Sequence, residues 1–438
     1  MNVMASTKYI KNQRWLIIAI LITAFILRTA WVLSIPTQPI SDFKEFDRLA
    51  VSVADGKGYL GLDGKPTAYR PPGYIFFLAG IYSLFGPNDF MARLVNILLG
   101  VLSCWLTYIL TIELFDKRTA LIAALMIAMF PSLIAWTNIL ATENLFIPVI
   151  LGVWISFLKA VKSQTIRWSW LILSGFLLGI GVLIRPATLV LPGIMVLALI
   201  LRIRFKVCSP QGIKILGKYA VIGLMISMVM LATVLPWSIR NSIIFGHFVL
   251  VSTEGGITFL AGQNELALTD EYSVDGPVFE QLNAEKLDEI SYDQRAYQLA
   301  FQFIRQNPLF EVRLIIHKLI NFFKDDVSGI TYNVLSALTP LPDWLVFALK
   351  GVAQIYYMFV MGLALASIFL KRYPKDRWYI VQLLFIVVWV VIHLAFYGKD
   401  RFRLPLTPAF VQFASISLLA LWDKQFTLFQ RKASLPVI

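Results

Sequence analysis

Apolar residues run along this chain in long blocks, and short basic segments separate them. Blocks cover about 15–35, 90–114, 119–136, 168–184 and 187–203. Others run from the Thr142-Glu143-Asn144 turn to about 158, up to Pro236-Trp237, and over about 343–370, 378–396 and 404–422. Each is about as long as a helix needs to cross a hydrocarbon layer of ~30 Å. The segments between them carry Lys8, Lys11 and Arg14; Lys117 and Arg118; Lys159, Lys162 and Arg167; Arg202, Arg204, Lys206, Lys214 and Lys218; and Lys371, Arg372, Lys375 and Arg377. Lysine and arginine collect on the cytoplasmic side of polytopic proteins. Placing every one of these clusters inside gives about ten spans with both termini in the cytoplasm. Two polar stretches then face outward, 36–86 and 238–342.

The first outward stretch has its own pattern. Phe46, Leu49, Ala50 and Val53 recur at helical spacing, so 43–54 predicts an amphipathic helix that Gly56 and Gly58 end. Tyr69 and Arg70 precede Pro71-Pro72, which holds them extended, and Pro72 suits the first turn of a helix over about 72–85. That helix is too short to cross, and Gly80 and Gly86 interrupt it, so it reads as interfacial or re-entrant. Arg70 lies at its N-terminus, where a guanidinium and free backbone N–H groups converge on one place. An anion, phosphate foremost, fits there.

The second stretch predicts a β-like run, Phe248-Val249-Leu250-Val251-Ser252, a Glu254-Gly255-Gly256 turn, and helices over 278–306 and 309–324. The expected architecture is an all-α integral membrane protein with interfacial helices in its first outer loop and a small α/β outer segment between spans seven and eight. Its divisions fall at 1–237, 238–342 and 343–438.

Composition narrows the picture. The 438 residues are 58% hydrophobic, with a mean hydropathy of +0.72, above what soluble domains reach. The net charge of +13 is accounted for by inside loops and anionic lipid, with no call for nucleic acid. Cys104 falls in a span and Cys208 in an inside loop, so no disulfide is expected. His247, His317 and His393 are too far apart for metal-ligand spacing. The first block ends without a small-residue cleavage site and reads as a retained signal anchor. One feature breaks the charge rule: Arg28, Arg70, Arg185, Arg240, Lys399, Arg401 and Arg403 all map near outer ends of spans, where cations are normally sparse. Taken singly, each reads equally well as a snorkelling anchor; together they suggest an anionic ligand on that face.

These motifs resemble the GT-C class of polytopic glycosyltransferases, in particular its bacterial branch similar to protein O-mannosyltransferases and the lipid A aminoarabinose transferase. The resemblance spans nearly the whole chain. It rests on Asp42 in the first outer loop, Gly56-x-Gly58-Tyr59, Tyr69-Arg70-Pro71-Pro72-Gly73-Tyr74, Leu84-Phe85-Gly86 and Thr142-Glu143-Asn144. Arg185-Pro186, Pro236-Trp237-x-x-Arg240-Asn241-x-x-x-Phe245-Gly246 and Arg401-Phe402-Arg403-x-x-x-x-Pro408 complete it.

The resemblance implies a GT-C bundle at the plasma membrane, with its active site outside, moving a sugar from a polyprenyl-phosphate donor to an acceptor hydroxyl with inversion. The acceptor is a glycan, a lipid or a protein. Asp42 would be the base and Glu143 a second acidic position that orients the acceptor or a cationic partner. Arg70, Arg185, Arg240, Arg401 and Arg403 would hold the lipid phosphate, and Tyr69 and Tyr74 the sugar or lipid. No organic cofactor is implied, and no ligand spacing supports a metal. Simpler roles compete: Asp42 with Glu45 as a capping box, Glu143 as a first-turn carboxylate, and both tyrosines as interfacial aromatics. The rival activity is transport of lipid-linked sugars, although the repeat symmetry and midplane charges common in transporters are not apparent.

Overall fold

The computed structural model describes residues 2–202, 210–269, 274, 276–370 and 373–433. Arg204, Lys206, Cys208, Lys371 and Arg372 lie outside the described residues. The described chain is helical. In order it forms α1 (Asn2–Ser34), α2 (Ser41–Ala54), α3 (Pro72–Phe85), α4 (Asp89–Leu114), α5 (Lys117–Ala128), α6 (Pro131–Trp136), α7 (Thr142–Val161), α8 (Trp168–Ile184), α9 (Leu191–Arg202) and α10 (Pro210–Phe245). Then follow α11 (Gly255–Ala261), α12 (Pro277–Ala284), α13 (Glu289–Gln306), α14 (Pro308–Phe323), α15 (Ser328–Ser336), α16 (Asp343–Ser367), α17 (Ile380–Ala395), α18 (Asp400–Arg403) and α19 (Thr407–Ala433).

Among the described residues six stretches are long and apolar enough to cross a membrane: Arg14–Ser34, Asp89–Leu114, Thr142–Val161, Gln211–Phe245, Asp343–Ser367 and Asp400–Asp423. The other expected spans are built from shorter pieces. The block at 119–136 is two helices, because α5 stops at Ala128 and Pro131 starts α6. Buried Arg28 sits at that break and donates to the Ala128 and Ile127 carbonyls at 3.1 and 3.3 Å, supplying donors that the end of a helix lacks. This arginine, expected among the outer cations, is a helix cap. Within the bundle α8 packs on α7 and α10, α4 on α1, α5 and α7, and α19 on α5 and α16.

The 238–342 segment departs from expectation at its β-like run. Among the described residues there is no strand, only isolated bridges between Thr37 and Ala337 and between Leu60 and Pro66. The run at 248–252 needs no ladder because α10 satisfies its carbonyls. The Trp237 indole donates to Val251, the Ser238 hydroxyl to Leu250, and the Asn241 amide to Val249 and Val251. For the same reason α10 runs on past Pro236, where the span was expected to end. The expected Gly255-Gly256 turn is instead the first turn of α11. A Cβ on Gly256 would lie 2.1 Å from the Asp293 carbonyl oxygen, so glycine is needed for close packing on α13. The expected helices at 278–306 and 309–324 form as α12, α13 and α14. The 36–86 loop is tied to the end of this segment, where the Gln38 N–H donates to the Ser336 carbonyl at 2.9 Å.

Candidate active site

The site is assembled from helix ends. α2 buries Phe43, Phe46, Leu49 and Ala50, and this fixes its polar edge, Asp42 and Glu45, toward the ends of α7, α8 and α18. It begins at Ser41, whose φ of 51° lies in the left-handed region that non-glycine residues seldom adopt. Such strain costs about 1–3 kcal/mol and tends to collect at functional positions. The capping-box reading of Asp42 does not hold. The N-cap is Ile40, with no side-chain cap bond, and the Asp42 carboxylate bonds to arginines instead.

Arg70 stands opposite. The prolines after it keep it out of α3, and the Tyr59 hydroxyl donates to its carbonyl at 2.8 Å. Its guanidinium meets three carboxylates through three different nitrogens: Asp42 at 2.7 Å, Glu45 at 2.8 Å and Glu254 at 2.9 Å. Glu254 immediately precedes α11, so this arginine joins the 36–86 loop to the distant 238–342 segment. Glu289 makes the join rigid by accepting from Thr67, Ala68 and Thr253. Burial opposes the Arg70 charge, but Glu254, Asp42 and Glu45 outweigh it and push its pKa upward. Burial pushes the Glu254 carboxyl up, with Arg70 pulling against it.

A second hub lies beside the first. Glu143, at the start of α7, is 1% exposed and accepts from Arg185 at 2.7 Å and Arg401 at 2.5 Å. The Thr142 hydroxyl donates to it as well. Arg401 reaches Asp42 with its other arm at 3.4 Å and lies over the rings of Phe43 and Trp136. Asp42 and Arg401 therefore link the two hubs. Four carboxylates (Asp42, Glu45, Glu143, Glu254) face three guanidiniums (Arg70, Arg185, Arg401). Glu143 is enclosed by cations, whereas the Asp42 side chain is 38% exposed. Of the two acidic positions named from sequence, Asp42 is open to an incoming group and Glu143 positions arginines.

The remaining expected residues fall elsewhere. Arg240 donates to the carbonyls of Thr67 and Tyr59 and stacks on Trp237, holding the loop that leads to Arg70. Arg403 is buried and binds the carbonyls of Phe322 and Asp325, the Asp326 carboxylate at 2.8 Å and the Tyr357 ring. Tyr74 is 1% exposed and packed against Phe46 and Phe77, so no ligand can stack on it. Tyr69 is half-buried beneath the Arg70 guanidinium. Lys399 lies over the Tyr397 ring. Two residues of the cluster were not foreseen as site residues. Glu45 was read only as half of a capping box. Glu254 was read as part of a turn, and no local signal relates it to Arg70, 184 positions away.

Among the described residues no group of three or more His, Cys, Asp and Glu side chains is arranged to hold a metal ion. What the arrangement offers is a partly exposed carboxylate held by arginines at one end of the membrane helices. A proton and an anionic leaving group can be handled side by side there.

Residues 69–237 match the family model described as dolichyl-phosphate-mannose-protein mannosyltransferase. No curated protein sequence is similar enough to count as a match. Among solved structures, the chain is similar to the oligosaccharyltransferase of Archaeoglobus fulgidus in complex with Zn and sulfate. The TM-score is 0.55 at 17% identity, covering 95% of this chain and 51% of that one. The same organism's oligosaccharyltransferase AglB, with an inhibitory peptide and a dolichol-phosphate, gives a TM-score of 0.56 at 15% identity over 97% and 52%. ArnT from Cupriavidus metallidurans bound to undecaprenyl phosphate gives 0.44 at 15% identity over 92% and 78%. The chain thus spans about half the length of the oligosaccharyltransferases it matches. In the family model it matches and in the path of its helices, the chain resembles the membrane glycosyltransferases of the GT-C class.

Proposed function

We propose that this protein is a glycosyltransferase that moves a sugar from a polyprenyl-phosphate donor to an acceptor hydroxyl on the outer face of the plasma membrane. One observation carries the reading: Asp42 is a partly exposed carboxylate set on a strained turn between Arg70 and Arg401. The family model of residues 69–237 and the dolichol-phosphate bound by AglB support a lipid-phosphate donor.

An Asp42 oxygen takes the proton of the acceptor hydroxyl. The acceptor oxygen attacks the anomeric carbon from the face opposite the phosphate, and the bond from that carbon to the phosphate oxygen breaks. The electron pair leaves with polyprenyl phosphate, and the sugar is inverted. Arg70 and Arg401 stabilise the departing charge. A donor phosphate competes with Asp42 for their N–H groups, so donor binding frees the carboxylate that acts as base. Glu143 and Arg185 keep Arg401 in place.

Asp42→Asn tests the reading. The amide still accepts from Arg70 but cannot take a proton at neutral pH, and general base catalysis is worth about 10²–10⁴-fold. Purified Asp42→Asn should fold with normal yield and transfer sugar at least about a hundredfold more slowly. Transfer within a few-fold of wild type would remove Asp42 as the base.

A further inference from the structure

A cavity lies at the far end of the helices that carry the site. α7 begins at Thr142, beside Glu143 in the site, and ends at Val161 beside this cavity; its 20 residues rise ~30 Å, the thickness of the hydrocarbon layer. α8 makes the same passage in reverse, ending at Arg185. The cavity, about 270 Å³, therefore opens at the opposite membrane boundary. Its walls include Lys162, Arg202, Lys218, Tyr219 and Trp378.

The charge there is one-sided. Among the described residues, Glu113 is the carboxylate that pairs with a cavity cation, meeting Lys162 at 3.2 Å. Arg202, the last residue of α9, lies 3.9 Å from the centroid of the Trp378 ring, and its Nε is buried with no hydrogen-bond partner. Lys218 is exposed on the first turns of α10 and carries no ion pair among the described residues. Trp378 and Tyr219 are buried, aromatic walls of the kind that settles at a membrane–water boundary. The cavity wall also carries the apolar side chains of Val161, Ile166, Leu199 and Ile222. A phosphate seated on the cations would thus have an apolar surface beside it for acyl chains.

We infer that this cavity binds the phosphate head group of an anionic phospholipid from the leaflet opposite the Asp42 site. Excess cations between helices at a membrane boundary attract such head groups. The apolar flank favours a lipid over a soluble phosphate, which would leave that flank unused.

The test uses the full chain, purified in detergent. Native mass spectrometry would count bound phosphatidylglycerol against phosphatidylcholine, and inorganic phosphate would be added in a separate arm. Phosphatidylglycerol should be retained in preference. Each cation near a charged surface contributes about 1 kcal/mol, so Lys218→Gln should weaken retention about fivefold and Arg202→Gln/Lys218→Gln about 25-fold. Lys218 is exposed, so its single variant reads out binding even if the double variant fails to fold. Equal retention of the two lipids would overturn the inference. So would retention unchanged in Lys218→Gln, or full displacement of the lipid by inorganic phosphate.

Discussion

Arg401 and Arg403 stand two residues apart on α18, and from sequence both are expected to hold the lipid phosphate. Their surroundings differ in what is left open. Arg403 is 2% exposed, and two backbone carbonyls, the Asp326 carboxylate and the Tyr357 ring account for its guanidinium. Arg401 shares itself between buried Glu143 and Asp42, which is 38% exposed. The first arrangement closes a gap between α14, α16 and α18. The second ends in a carboxylate that another molecule can reach. A charged residue at the end of a span becomes a candidate for chemistry through its partner's exposure, not through its own charge.

That contrast can be broken by mutation. The widest separation should come from setting Asp42→Asn beside Arg403→Ala. The asparagine should lose transfer while keeping its thermal midpoint. The alanine should lose about 3–5 kcal/mol of stability, because the buried Asp326 carboxyl and two backbone carbonyls lose the guanidinium that satisfies them. Unfolding in detergent, followed alongside sugar transfer, would measure both, and a stable but inactive Arg403→Ala would mean that Arg403 belongs to the site. Arg401→Ala should lie between them. Removing one partner of a partly dehydrated charge pair costs about 2–5 kcal/mol, which should appear mainly as slower transfer, with some loss of stability through Glu143.

Arg70→Lys should follow with about a 10–100-fold loss of transfer, the equivalent of one or two charged hydrogen bonds. An ammonium is a point charge and cannot meet Asp42, Glu45 and Glu254 along three directions. Near-normal turnover of this variant would mean that the three-way clasp is not needed to hold Asp42. Tyr74→Phe should be the mildest, with transfer unchanged and stability within about 1 kcal/mol, because the ring serves as packing behind Phe46. A selective rise in donor KM in this variant would restore Tyr74 as a ligand contact.

Much of the fold was legible because a membrane makes its demands locally. A crossing segment must satisfy its own backbone and be apolar over about 20 residues, and both requirements are written in consecutive positions. α4, α7, α10 and α16 could be read that way, as could amphipathic α2 and the Pro72 start of α3. The run at 248–252 reads as a strand because its short apolar, β-branched pattern is the same whether a neighbouring strand or the side chains of α10 take its carbonyls. The break between α5 and α6 rests on Arg28, a residue far away in the chain.

For the site, sequence alone determined which residue types would stand near the helix ends that build it: Asp42, Arg70, Glu143, Arg185 and Arg401 all follow from their motifs. Tertiary structure decided which of them meet. It added Glu45 and Glu254, removed Arg240, Arg403 and Tyr74 to structural duties, and gave Asp42 rather than Glu143 the open position. The physical reason is the range of the interactions. Hydrophobic length and proline geometry act within a helix, so they can be read along the chain. An ion pair needs two charges within about 4 Å and a local degree of burial, and both depend on how α2, α7, α11 and α18 pack together.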